Sequence, residues 1–285
     1  MTTTRPTRPS VRRRRLSEEL RRLRANADLT LDDAAARLEW SVGKLSNIET
    51  GVRLRPSVVE VRALLDVYEL TDDRRRESLL ELTRQAGKKG WWTKYSDVFP
   101  DDFPVLESEA TAISTYQPMI LPGLLQTPAY VELLMRSGNL VRDPVDITRV
   151  VDARKRRQEE ALNGPDRTEL WAVIDAGAIE RLRGTPEVCQ EQTKHLADMA
   201  DDGTGITIQV VPFNAGLHAG AKGNFVLMDF AAADPVVYLE MDQDSLFLEE
   251  PEETTRYRNL FNHLVSRSLN VDESVAYLRE IAETP

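Results

Sequence analysis

Hydrophobic positions in the first third of the chain recur at helical spacing. Leu16, Leu20 and Leu23 fall at i, i+4 and i+7 and predict one apolar helical stripe. Thr30 then precedes Leu31–Leu38 as an N-cap, with Asp33 at the capping-box position and Ala34, Ala35 and Leu38 facing inward. After a break at Glu39–Ser41, a short helix carries Leu45 and Ile48, and Gly51 is placed to end it in the left-handed conformation. Pro56 is expected to open a fourth helix whose buried face is Val58, Val61, Leu65 and Tyr68. A fifth runs from about Thr71 to Gln85 with Leu79, Leu80 and Leu82.

Beyond Phe103 helical and strand periodicities mix. Helices are expected at Glu107–Ser114, Pro128–Ser137, Val145–Leu162, Pro186–Ala200, Glu252–Ser268 and Glu273–Glu283. Strands are expected at Glu169–Ile174, Ile206–Val211, Asn224–Phe230, Val236–Glu240 and Leu246–Leu248. The three closely spaced middle strands favour an antiparallel meander with helices on one face. The fold class that follows is an all-α N-terminal helix-turn-helix domain, then an α+β domain with a small, mostly antiparallel sheet. The expected boundaries are a disordered basic arm at 1–15, a helical domain at 16–86, a linker at 87–104 and the α+β domain at 105–283. Trp91 and Trp92 fall in that linker, where packing against one domain is the simpler role and stacking on a base the alternative.

Charge sharpens this division. The whole chain carries a formal net charge of −10, which taken alone argues against nucleic acid. Residues 1–90 hold 20 Lys+Arg against 14 Asp+Glu, and the remainder holds 17 against 33. A basic head able to neutralise phosphates is therefore joined to an acidic body that phosphates repel.

Three short helices with a tight turn between the second and third can present the third to a major groove about 12 Å wide. In Trp40–Gly51, Leu45 and Ile48 hold that helix, leaving Ser41, Val42, Gly43, Lys44 and Asn47 on the other side. Leu38–Gly51 resembles the Xre-type, lambda-repressor-like helix-turn-helix, whose signature ends in Ser-x-Ile-Glu-x-Gly, here Ser46–Gly51. The resemblance covers about residues 16–85. It implies that Ser41, Gly43, Lys44 and Asn47 meet bases or adjacent phosphates, that Arg53 and Arg55 clamp the backbone, and that Glu49 is structural. Chemically, Asn47 suits adenine N6/N7, and Lys44 suits guanine O6/N7 or a phosphate. Val42 suits a thymine methyl or a half-buried packing role. One departure is Glu39, where that family usually has glycine. A left-handed residue other than glycine costs roughly 1 kcal/mol and here adds a carboxylate near the reading face.

The second half also resembles a family. Tyr116–Thr127, Arg154–Gln158, Gln209–Phe213 and Tyr238–Glu240, in that order, are similar to the C-terminal domain of actinobacterial WhiJ-type regulators. That resemblance spans about 105–280 and implies a regulatory domain, often associated with a small protein encoded by an adjacent gene.

Other constellations predict less. His195, His218 and His263 are dispersed, with no His or Cys at metal-ligand spacing. Gly216–Gly223 reads as a glycine-rich hairpin loop, with anion binding through Lys222 as the alternative. The run Arg154–Arg157 reads as a solvated face paired with Glu159 and Glu160, with phosphate binding as the alternative. Asp242, Asp244, Glu249, Glu250, Glu252 and Glu253 form an acidic strip. Neither a Gly-x-Ser-x-Gly elbow nor a nucleophile context for Cys189 is present, so no enzyme and no cofactor are expected. An enzyme would need a pocket gathering residues such as His218, Asp175 or Glu180.

The expected protein is a sequence-specific DNA-binding transcriptional regulator, acting as a homodimer on double-stranded DNA because one short helix reads few bases. A small-molecule effector or a small protein partner would address the acidic domain. The alternative is an antitoxin-like protein that sequesters such a partner and binds DNA mainly for autoregulation. The single cysteine and the absence of any long apolar run or secretory pattern predict a cytoplasmic, nucleoid-associated protein without membrane contact.

Overall fold

The computed structural model describes residues 11–51, 56–86, 91–95, 97–99, 103–137, 144–163, 167–201, 203, 205–231, 233–241 and 245–285. The chain divides into two units, Met1–Thr93 and Lys94–Pro285.

The first unit is helical: α1 (Val11–Asn26), α2 (Leu31–Arg37), α3 (Val42–Glu49), α4 (Val58–Val67) and α5 (Asp73–Ala86). Residues 11–15, expected in the basic arm, are thus the first turns of α1. The α2 capping box is present, with Thr30 Oγ1 accepting from Asp33 N–H and the Asp33 carboxylate accepting from Thr30 N–H. Pro56 does not itself open α4. Ser57 caps it through a second capping box with Glu60, which leaves Pro56 one residue outside. The core holds Leu16, Leu20, Leu45, Ile48, Leu64 and Leu65, all essentially inaccessible.

Three of the helices end on a carboxylate residue in the left-handed region: Asp28 (φ 54), Glu39 (φ 54) and Glu69 (φ 55). Each closes a turn by the same device, in which the following N–H reaches back to the last helical turn: Leu29 to Arg24 O, Trp40 to Ala35 O and Leu70 to Leu65 O. Gly51 (φ 72) ends α3 as its position in the sequence predicts.

The second unit opens with a 3-10 turn continued from Trp91–Tyr95 and α6 (Phe103–Glu109). It continues through β1 (Ala112–Gln117), α7 (Pro128–Ser137), α8 (Pro144–Leu162), β2 (Glu169–Asp175), α9 (Ala176–Glu180), α10 (Pro186–Asp201) and β3 (Ile206–Val211). After two short 3-10 turns come β4 (Phe225–Phe230), β5 (Ala233–Glu240), β6 (Ser245–Leu248), α11 (Pro251–Arg267) and α12 (Val271–Glu283). The six strands form one sheet in the order β3-β2-β1-β4-β5-β6. The pairs β1–β2 and β2–β3 are parallel, and β1–β4, β4–β5 and β5–β6 are antiparallel. The class is therefore α+β with a mostly antiparallel sheet.

Three expectations change. The predicted helix Glu107–Ser114 is instead the end of α6 followed by the central strand β1. Its first residues favour helix, but Ile113, Thr115 and Tyr116 are β-branched or aromatic, and pairing on both sides decides the state. The meander is β4-β5-β6, because β3 lies at the far edge beside β2. Helices cover both faces. α11 packs on the face carrying Tyr116, Val173, Phe225, Leu227 and Val237. On the opposite face Tyr238 meets Phe103 of α6 at 4.3 Å between ring centroids, with Arg157 of α8 over the Phe103 ring.

The Arg154–Arg157 run also divides. Arg156 pairs with Glu159 and Glu160, as a solvated face should. Arg157 turns inward to grip Glu107 with both arms of its guanidinium, and Arg154 donates to Gln126 Oε1 at 3.0 Å. Gln158 donates to the carbonyls of Gly123 and Gln126, so the Tyr116–Thr127 and Arg154–Gln158 blocks lock together. Gly123 packs closely there, since a Cβ would lie 2.9 Å from Arg157 Nη1.

Candidate DNA-binding face

Helix α3 is short, and its orientation rests on what lies beneath it. Leu45 and Ile48 are buried in the core of the first unit. Ser17 Oγ of α1 donates to the Ile48 carbonyl at 2.7 Å. Glu49, in the last turn, is almost wholly buried. Arg24 Nε donates to both its oxygens at 3.1 and 3.0 Å, and Tyr68 Oη donates to Oε1 at 2.6 Å. A buried carboxylate is tolerable only when paired and hydrogen-bonded, and here α1 and α4 supply both partners. Burial and the Glu49 hydrogen bond push the Tyr68 phenol far above its ordinary pKa, so it remains a donor. This clamp fixes α3 to two other helices and makes Glu49 a structural residue.

The opposite side of α3 is open. Ser41 caps the helix, its Oγ accepting from Lys44 N–H at 3.2 Å, which leaves the hydroxyl hydrogen free to donate outward. Ser41, Val42, Gly43 and Asn47 are exposed, and Asn47 has no hydrogen-bond partner among the described residues. A Cβ added to Gly43 would meet nothing within 4 Å, so no packing inside the chain demands glycine there. Val42 is 39% exposed, which makes it the apolar spot on this face rather than a core residue. Glu39, in the turn, is exposed and left-handed. Arg53 and Arg55 lie outside the described residues.

Lys44 differs from the others. Its Nζ lies 3.0 Å from Glu60 Oε1 and 3.7 Å above the centre of the Trp40 ring. The other Glu60 oxygen accepts from Ser57 N–H and Oγ in the α4 capping box. Lys44 is thus held half-buried and neutralised before any phosphate arrives. Sequence reasoning missed Trp40 and Glu60 as its partners, although Ser57-x-x-Glu60 is itself a legible capping box.

In the second unit, His218 and Asp175 do meet, with His218 Nε2 3.4 Å from Asp175 Oδ2. Glu180 turns elsewhere, to Arg183 and the Tyr277 hydroxyl. Gly216–Gly223 is not a hairpin loop, because β3 and β4 are not neighbours. Cys189 is buried, and burial raises its thiol pKa. A cleft of ≈ 160 Å³ is lined by Leu124, Gln158, Leu162, His195, Met199 and Ile206 among others, which is below the size of a typical ligand pocket. Burial lowers the pKa of His195 there. Of the acidic strip, Asp242 and Asp244 lie outside the described residues. No group of three or more His, Cys, Asp or Glu among the described residues could hold a metal ion. No helix among them is long and apolar enough to cross a membrane.

No curated protein and no solved structure matches the chain. Two family models do. Residues 15–78 match a helix-turn-helix domain, which agrees with the α1–α5 geometry and supports a DNA-binding regulator in general. Residues 100–280 match the family described as "Domain of unknown function (DUF5753)", and with that match spanning more than half its length the chain belongs to the DUF5753 family.

Proposed function

We propose that the protein is a sequence-specific transcriptional regulator that lays α3 in the major groove of double-stranded DNA. The observation that carries this reading is the two-sided character of α3. One side is clamped through Leu45, Ile48 and Glu49, and the other presents Val42, Gly43 and Asn47 exposed, with the capping Ser41 exposed beside them. Asn47, with an unengaged amide, is the base reader, suited to adenine. Ser41 at the helix N-terminus and Lys44 contact phosphate, Gly43 permits close backbone approach, and Arg53 and Arg55 add phosphate contacts. One eight-residue helix reads few base pairs, so a homodimer on two half-sites supplies the remaining specificity. The second unit, similar to that of WhiJ-type regulators, is regulatory and not enzymatic. Its strong negative charge keeps it off the duplex and suits it to a small-molecule or protein partner instead.

The test is selection of bound sequences from a random duplex pool, followed by titrations across salt. Asn47→Ala should relax preference at one position of each half-site, at a cost of about 1–3 kcal/mol on the cognate site. Arg55→Ala should weaken all sequences alike and flatten the salt slope by about one unit. Full site preference retained by Asn47→Ala would remove α3 from the groove.

A further inference from the structure

The strands β1, β2 and β3 run parallel and end together at Gln117, Asp175 and Val211. To reach β4, the chain leaving β3 must cross the ends of β2 and β1, because β4 lies on the far side of β1. Residues 212–224 make that crossing. In open sheets with parallel strands, the carboxyl ends at a change in chain direction are where crevices form and ligands bind.

What lies under the crossing is unusual. Asp175 caps α9, its Oδ1 accepting from Gly177 N–H at 2.8 Å. Its Oδ2 accepts a hydrogen bond from Tyr116 Oη at 3.3 Å and lies 3.4 Å from His218 Nε2. Among the described residues no lysine or arginine is within ion-pair distance of this carboxylate. The His218 side chain is only 10% exposed, and its buried Nδ1 has no hydrogen-bond partner. A buried ring nitrogen left without a hydrogen-bond partner costs free energy.

The surroundings are aromatic and apolar. The Tyr116 and His218 rings meet edge to face at 5.9 Å, and the Phe213 ring lies 3.7 Å from where a Gly177 Cβ would be. Outward from these, Phe213 is 70% and Leu217 91% exposed, and Met119, beyond β1, is exposed beside Arg181. The crossing segment sits close because residue 220 is glycine, since a Cβ there would lie 2.5 Å from Tyr116 Cε1. It enters and leaves through Gly216 (φ 68) and Gly223 (φ 135), backbone conformations that side chains resist.

We propose that the carboxyl ends of the parallel strands, with Asp175 among Tyr116, His218 and Phe213, form a binding site for a primary ammonium group carried on an apolar chain. A carboxylate with no lysine or arginine partner among the described residues, set among aromatic rings, favours a cation over a neutral or anionic group. An ammonium would donate to Asp175 Oδ2, the carboxylate oxygen that already accepts from Tyr116 Oη. Its apolar chain would cover the exposed Phe213, Leu217 and Met119. This site does not rest on the DNA-binding reading.

The test uses the full chain with ring-labelled histidine and n-hexylammonium chloride as the probe, with His195 and His263 as internal references. The expected result is a saturable shift of the His218 ring signals alone, with Kd on the order of 1 mM for so small a ligand. Hexanol and hexanoate at the same concentrations should leave those signals in place. Asp175→Asn, which keeps a capping oxygen, should weaken binding about tenfold or more. Phe213→Ala, at a position 70% exposed, should weaken it several-fold. No saturable shift, an equal response to hexanoate or hexanol, or unchanged affinity in Phe213→Ala would each overturn the proposal.

Discussion

Both units bury a glutamate gripped by an arginine, but they do so to different ends. In the first, Glu49 accepts from Arg24 and Tyr68, every strong hydrogen-bonding group is matched, and the product is a fixed orientation for α3. In the second, Glu107 is gripped by Arg157, while the neighbouring Arg154 keeps a buried Nε without a partner. Burial and the nearby Arg157 push the Arg154 guanidinium down to about 10. A closed network holds a surface helix in one pose, whereas an open one leaves a charge that packing tolerates without needing.

The comparison breaks most readily at Glu49. Glu49→Ala strands Arg24 and should cost about 3–5 kcal/mol in denaturant unfolding, with loss of DNA binding because α3 loses its seat. In the second unit the two arginines should part company. Arg157→Met, leaving a buried Glu107 alone, should cost a similar 3–5 kcal/mol, while Arg154→Met should change stability by less than about 1 kcal/mol. Equal losses from both would mean that Arg154 is as fully engaged as Arg157.

Smaller substitutions sharpen the contrast between the two sides of α3. Gly43→Ala meets open space and should stabilise the helix by about 1 kcal/mol, yet weaken DNA binding if the backbone approaches the duplex there. A variant both more stable and equally tight would place Gly43 off the interface. Glu60→Gln keeps the α4 capping box while releasing Lys44. It should tighten binding at low salt and steepen the salt slope by up to about one unit, read from titrations at several salt concentrations.

The sequence by itself determined the parts whose physics is local. The helix spans at Pro128–Ser137 and around Leu16–Leu23 follow from apolar spacing. The left-handed turn at Glu39 followed only from the helix-turn-helix resemblance, whereas the Thr30 cap and the Gly51 stop follow from residue chemistry within four positions. The two faces of α3 were legible for the same reason, since a helix sorts its own residues by angle.

Only the tertiary structure decided which elements lie side by side. Whether 112–117 is a strand depended on partners from 169–174 and 225–229, too distant in sequence for any local pattern to report. Placing β3 beside β2 turned an apparent hairpin loop into a crossing segment and brought His218 onto Asp175 and Tyr116. Lys44 shows the same limit inside the first unit. Its exposure follows from its place on α3, but its pairing with Glu60 depends on how α4 packs, and that is a property of the folded core.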